Sequence, residues 1–145
     1  MTKRIGVAET DAQIDACYPV MRELRPQITR ADFLPFVRRL QAGNQFNLAF
    51  VDDGGIKAVA GYRVSEWLAG GRYLEIEDLV TADGARSRGY GGELFDWLMA
   101  EAARQDCRQV RLVSNVRRVD AHRFYERKGM KHEAHYFSIN VGVKS

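Results

Sequence analysis

At 145 residues the chain has the size of one domain, able to bury about two thirds of its unfolded surface without help from disulfides or a metal. Its net charge of +3, from 22 basic and 19 acidic residues, requires no polyanionic partner, although an anionic cofactor suits it. No apolar run approaches the roughly 18 residues of a membrane span, so neither nucleic acid nor membrane is an expected partner. Repeats and low-complexity segments are absent from the sequence. Cys17 and Cys107 lie far apart and no signal-peptide pattern opens the chain, so a reduced, cytoplasmic protein is expected.

Ile5-Gly-Val-Ala8 reads as a short first strand. Thr10-Asp-Ala-Gln13 has the spacing of a capping box, ahead of the helical pattern Ile14, Tyr18 and Met21, and Pro26 closes that helix or sits just past it. A second helix is expected over Ala31 to Ala42, with Phe33, Phe36, Val37 and Leu40 on one face, Pro35 near its first turn and Gly43 as its stop. The period then changes. Phe46 to Val51, the turn Asp52-Asp-Gly-Gly55 and Ile56 to Trp67 read as a β-hairpin, and Gly70-Gly71 returns the chain into a central strand, Leu74 to Thr81. A helix follows with Leu94, Phe95, Leu98, Met99 and Ala102 on one face. Gln109 to Ser114 is a fifth strand, Asp120 to Lys128 a short helix, and Lys131 to Val143 one or two closing strands. The order predicts a single α/β domain over residues 1–145, an α+β mixed sheet with helices on both faces, because the strand-helix-strand unit from Leu74 to Ser114 forces a parallel pair.

The loop between the central strand and the third helix carries Arg86, Ser87, Arg88, Gly89, Tyr90, Gly91 and Gly92. Glycines at a helix start leave main-chain N–H groups uncovered, and those donors together with the positive end of the helix dipole make a site for phosphate. Two arginines alongside add forked cationic donors suited to a diphosphate. Glycines also end strands and start helices with no ligand present, so the loop alone leaves both readings open. A Walker loop ends in Gly-Lys-Ser/Thr, whereas this one continues Gly91-Gly-Glu93. The dinucleotide fingerprint needs G-x-G-x-x-G after the first strand, and neither the spacing nor the mid-chain position fits.

Arg86-Ser-Arg-Gly-Tyr-Gly91 resembles the R/Q-x-x-G-x-G/A signature of the GNAT superfamily of acetyl-CoA-dependent N-acetyltransferases. Ile76-Glu-Asp-Leu-Val80 resembles the central strand of that superfamily. Leu112-Val-Ser-Asn115 followed by Ala121-His-Arg-Phe-Tyr-Glu-Arg-Lys-Gly-Met130 resembles its second conserved block. Three blocks in the right order cover Leu74 to Met130, and the rest of the chain is similar in outline to small bacterial members. The resemblance implies a GNAT-like fold with a mostly antiparallel central sheet and one splayed parallel strand pair. It also implies acetyl-CoA as cosubstrate, its pyrophosphate on the amides of Arg86 to Gly92 and its pantetheine arm along the backbone of Leu79, Val80 and Thr81. Asn115 matches a polar residue that contacts the cofactor amide or an ordered water, and Arg118 either touches the adenosine 3'-phosphate or joins a solvated basic face. Arg117 and His122 read instead as a solvated basic face.

Acetyl transfer to an amine needs an uncharged nitrogen, so a carboxylate or a water it orders must take the proton of a group whose free pKa is about 10.4. Period two puts Glu75, Glu77 and Leu79 on one face of the central strand and Leu74, Ile76 and Asp78 on the other. By the resemblance the base falls at Glu75 or Glu77, with a bulge near Leu79 re-aiming the later residues. Taken singly, each reads equally as a solvated or paired carboxylate. Tyr125, in Phe124-Tyr-Glu126, matches the position whose hydroxyl faces the coenzyme sulfur, which implies the catalytic acid. A helical tyrosine otherwise reads as half-buried core, and Phe124 is expected to turn toward that core. Neither cysteine has a histidine beside it, so direct transfer in a ternary complex is expected over a covalent route. No metal is expected, because His122, His132 and His135 lack paired ligand spacing. The competing class is a non-catalytic acyl-CoA sensor or partner module of the same fold. The acceptor is expected to be a small-molecule or peptide amine, and Arg22, Arg25 and Arg30 give a preference for one bearing a carboxylate. A homodimer is compatible with this reading.

Overall fold

The computed structural model of the protein describes residues 2–142. These divide into two compact units, one ending at Leu112 and one starting at Val113. The first contains β1 (Arg4–Val7), α1 (Asp11–Leu24), α2 (Arg30–Asn44), β2 (Phe46–Asp52), β3 (Ile56–Trp67), β4 (Gly71–Thr81), α3 (Tyr90–Arg104) and β5 (Gln109–Leu112), with a single 3-10 turn at Asp83–Ala85. The second contains α4 (Val119–Arg127).

Local chemistry sets the boundaries. The Gln13 amide donates to Thr10 Oγ1 at 3.1 Å while the Thr10 amide donates to Gln13 Oε1 at 3.0 Å, so the expected capping box starts α1. Pro19 sits inside α1, where its missing N–H leaves the ladder one donor short. Helix α2 runs past the expected stop. Gly43 is helical, and Gln45 takes the left-handed conformation that ends the helix, with φ 56° and its amide on the Leu40 carbonyl. The next turn is held by the Gly55 amide donating to Asp52 Oδ1 at 3.0 Å.

The five strands lie in the order β1-β2-β3-β4-β5, antiparallel except for β4 and β5. Alternation along the strands serves two faces. Phe46, Leu48, Phe50, Val59 and Val80 join one core with Ile14, Cys17, Met21, Phe33 and Val37 from α1 and α2. On the opposite face Tyr62 meets Trp97 of α3 edge-on, with ring centroids 6.2 Å apart, and Leu94, Phe95, Leu98 and Ala102 are buried. Met99, expected on that apolar face, is exposed. The fold is therefore a mixed α/β sheet with helices on both faces.

Two features of β4 position the site. It pairs with β5 only over Tyr73–Ile76 against Gln109–Leu112, and then continues to Thr81 with β3 alone beside it. The parallel ladder thus ends at Ile76. The second feature is a bulge. Gly61 pairs with Asp78 and Tyr62 with Ile76, which leaves Glu77 as the extra residue. The expected bulge near Leu79 therefore lies two residues earlier, and it overturns the face assignment made from strict alternation. Glu75 and Glu77 both reach Arg63, Asp78 reaches Arg25 at the end of α1, and Val80 enters the α1/α2 core. One inserted residue has moved Asp78 to the face of the glutamates and Leu79 off it.

In the second unit the α4 helix has no buried side chain, and Phe124, expected to turn to the core, is half-buried and meets the Tyr125 ring edge-on. The closing strands expected over Lys131 to Val143 do not form in residues 131–142, and Val143 lies outside the described residues. Alternating side chains supply a face, but a strand exists only in a hydrogen-bonded ladder. Here Phe137, Ile139 and Val141 are 89%, 90% and 81% exposed.

Candidate functional site

The start of α3 has no side-chain cap and begins at a left-handed glycine. Gly89 is its N-cap at φ 86°, a left-handed conformation that a Cβ would strain, and no side chain caps the helix. The amides that open α3 therefore keep their donor capacity at the positive end of the dipole. Ser87 is also left-handed, at φ 67°, so two of the three residues from Ser87 to Gly89 have positive φ. Arg86, Ser87 and Arg88 are exposed. The Arg86 guanidinium lies 3.6 Å from Asp83 and 4.0 Å from Glu23, long contacts at an exposed side chain that leave it available to an anion. The turn is anchored from below. The Tyr90 hydroxyl donates to Asp53 Oδ2 at 2.7 Å, and Lys3 pairs with Glu93 at 2.7 Å. The side-chain oxygen of Thr81, at the end of β4, lies 3.1 Å from where a Cβ on Gly91 would sit, so helix start and strand end are in close approach.

The two glutamates of β4 differ. Arg111 donates to Glu75 Oε1 at 2.9 Å, and its guanidinium lies 3.7 Å from the centre of the Tyr73 ring and 4.2 Å from that of Trp67. Arg63 stands 3.7 Å from the same carboxylate oxygen, so Glu75 is locked between two cations. Glu77, on the bulge, pairs among the described residues with Arg63, whose Nε lies 3.3 Å from Oε2 without an aligned hydrogen bond. Partial burial pushes the Glu77 carboxyl above the usual carboxylate range, against the opposing pull of Arg63.

Asp78 completes the group, and the sequence reading passed over it. Arg25 Nε donates to Asp78 Oδ1 at 2.7 Å and Arg25 Nη2 to the Glu77 carbonyl at 3.0 Å, across 53 and 52 residues of chain. Burial raises the Asp78 carboxyl, with Arg25 opposing. Gly61 makes room, since a Cβ there would collide with the Asp78 carboxylate and stand 2.7 Å from the Phe46 ring. Glu77 and Asp78 border a cavity of about 520 Å³ whose remaining walls come from α1, the α1–α2 connection, α2 and β2. Two of the three arginines expected to favour a carboxylate-bearing acceptor have partners: Arg25 is held by Asp78, and Arg30 lies over the Tyr18 ring at 5.0 Å, while Arg22 is exposed in the last turn of α1. Only the bulge, invisible to a period-two pattern, reveals Asp78 as a site residue.

Within the second unit Asn115 organises the approach to α4. Its side-chain oxygen accepts from the Arg117 amide at 2.9 Å, and its carbonyl accepts from the Arg118 amide at 3.0 Å and meets His122 Nε2 at 2.9 Å. Asn115 and His122 are thus employed within their own turn. Burial raises the Tyr125 phenol, offset in part by Arg118, so the hydroxyl stays protonated and able to donate at neutral pH.

The acetyltransferase (GNAT) family model matches residues 11–130. The chain belongs to the GNAT acetyltransferase family. A Bacillus subtilis relative, the uncharacterized N-acetyltransferase YhdJ, is 35% identical over 125 residues, covering 83% of this chain and 86% of that protein. The aminoalkylphosphonate N-acetyltransferase of Salmonella typhimurium is 37% identical over 62 residues, 43% of this chain and 40% of that one. In fold, the structure of AAC(6')-Iy with the bisubstrate analog CoA-S-monomethyl-acetylneamine superposes with a TM-score of 0.84 at 10% identity, covering 99% of this chain and all of that one. Membership makes the protein an acyltransferase, and the family match spans the α3 start, the β4 carboxylates and Tyr125 alike.

No helix among the described residues is long and apolar enough to cross a membrane.

Proposed function

We propose that residues 1–145 act as one N-acetyltransferase domain that passes the acetyl group of acetyl-CoA to a primary amine by direct attack in a ternary complex. The observation that carries this reading is the uncapped start of α3, flanked by Arg86 and Arg88, in close approach to the end of a strand that has left its parallel partner. The residues fit the cosubstrate. The amides opening α3 and the two guanidiniums would hold its diphosphate, and the free backbone edge at Leu79, Val80 and Thr81 would hold its amide-bearing arm. The bound thioester supplies an electrophilic carbonyl carbon and a thiolate leaving group.

Glu77 is the proposed base, acting directly or through a water. Glu75 is disfavoured because Arg63 and Arg111 already occupy its carboxylate. As the amine nitrogen bonds to the carbonyl carbon, Glu77 takes the nitrogen's proton. As the carbon–sulfur bond breaks, the Tyr125 hydroxyl donates its proton to the departing sulfur. Asn115 and Arg118 are proposed cofactor contacts on the strength of the family motif. The cysteines support direct transfer: burial pushes the Cys17 thiol up to about 12 and raises that of Cys107 too, so neither is a ready thiolate nucleophile.

Release of free thiol from acetyl-CoA, followed over a panel of amines, polyamines, amino acids and peptide N-termini, tests the proposal. Thiol should appear only with an amine present, and should persist when Cys17 and Cys107 are both replaced by alanine. Stable acetyl-CoA binding with no turnover on any amine would favour a sensor. Acetyl-cysteine detected by mass spectrometry would replace direct transfer with a covalent route.

A further inference from the structure

The cavity beside Glu77 is more specific than the reaction requires. Its volume, about 520 Å³, lies in the range of small-molecule sites, roughly 300–1,000 Å³. Phe33, Val37, Phe46 and Leu48 are buried and form its floor, while Phe36 and Leu40, one helical turn apart on α2, are partly exposed at its side. The charges lining it are Arg25, Asp32, Glu77 and Asp78 among the described residues. Arg25 is spent on Asp78 and on the Glu77 carbonyl, so the balance left to a ligand is carboxylate.

Resting on the transferase reading above, we propose that the acceptor is a primary amine carried on an apolar body, an arylalkyl or alkyl amine, with its ring or chain between α2 and β2 and its nitrogen at Glu77. The carboxylates attract the amine as an ammonium ion, which loses one proton to solvent before attack, and Glu77 takes the second as the nitrogen bonds to the carbonyl carbon. The apolar walls give the body of the molecule a place to leave water, worth about tenfold or more in affinity for a ring-sized group. An acceptor bearing phosphonate or carboxylate would meet Glu77 and Asp32, and the one cation among the described residues of the lining, Arg25, is already paired with Asp78. A sugar amine would bury hydroxyls against Phe33, Phe36 and Leu40, where they find no partners.

Isothermal titration of the full-length protein, with coenzyme A present, should detect 2-phenylethylamine and hexylamine and bind 2-aminoethylphosphonate and glucosamine 6-phosphate more weakly by at least about tenfold. Phe36→Ala and Leu40→Ala both keep a good helix former on a partly exposed face. Each should weaken 2-phenylethylamine by about tenfold while leaving the coenzyme A isotherm unchanged. No binding of the apolar amines, tighter binding of either anionic amine, or indifference to both substitutions overturns the assignment. Coenzyme A is titrated separately. If it binds and the apolar amines do not, only this acceptor class falls; if the amines bind and coenzyme A does not, the amine site stands and the transferase reading falls.

Discussion

The chain up to Leu112 and the chain from Val113 are held together differently. The first is organised around fully buried side chains, among them Ile14, Leu48, Tyr62, Leu74, Leu94 and Leu98. The second has no buried side chain among its described residues, and its order comes from the Asn115 turn, the α4 ladder and the Met130 amide returned to the Tyr125 carbonyl. Yet the family motif assigns the proposed acid, Tyr125, to the second. The buried core lies in one region and the proposed acid in the other, so substitutions should separate stability from turnover.

The largest separation is expected at Tyr125. Tyr125→Phe keeps the ring against Phe124 and removes only the proton donor, so turnover should fall by about 10²- to 10⁴-fold. The denaturation midpoint and coenzyme A affinity should stay put. Wild-type turnover, measured where the chemical step limits the rate, would return Tyr125 to a packing role.

Leu94→Ala tests the other side of the comparison. It empties a fully buried position and should cost about 2–5 kcal/mol in urea denaturation, whereas Val119→Ala on exposed α4 should stay within about 0.5 kcal/mol. Similar losses at both would show that the second region shares the core.

Glu77→Gln is next, with a loss of about 10²-fold in turnover, against a small effect of the same change at Glu75. The base works ionised and its folded pKa is raised. Activity should therefore rise with pH through a limb lying above the ordinary carboxylate range and reach a plateau beyond it. Glu77→Gln should abolish that limb, and a limb that survives the substitution belongs to another group.

Local chemistry made much of the fold readable in advance. The Thr10–Gln13 box and the Asp52–Gly55 turn each follow from interactions within a few residues, and each forms. What escaped depended on distant partners. The bulge at Glu77 is set by the β3–β4 register, and the Arg25–Asp78 pair spans 53 residues. Gln45 rather than Gly43 ends α2, so the nearest glycine was no guide to the cap. The alternating residues after Lys131 promised strands, but alternation cannot supply the partner a ladder needs. The same division holds for the site. The proposed cofactor loop could be singled out because its residues are contiguous, whereas the proposed acceptor cavity, gathered from α1, α2, β2 and β4, left no local pattern.

The central claim is that the start of α3 holds the diphosphate of acetyl-CoA, and titration calorimetry of coenzyme A on the wild type and on Arg88→Glu tests it most directly. Arg88 is exposed, so the reversal should leave the fold intact while placing a carboxylate beside the uncapped amides. The account predicts micromolar-range binding to the wild type weakened by about tenfold or more in the variant, with the difference shrinking as salt is raised. Equal affinity of the two proteins for coenzyme A at low salt would contradict it.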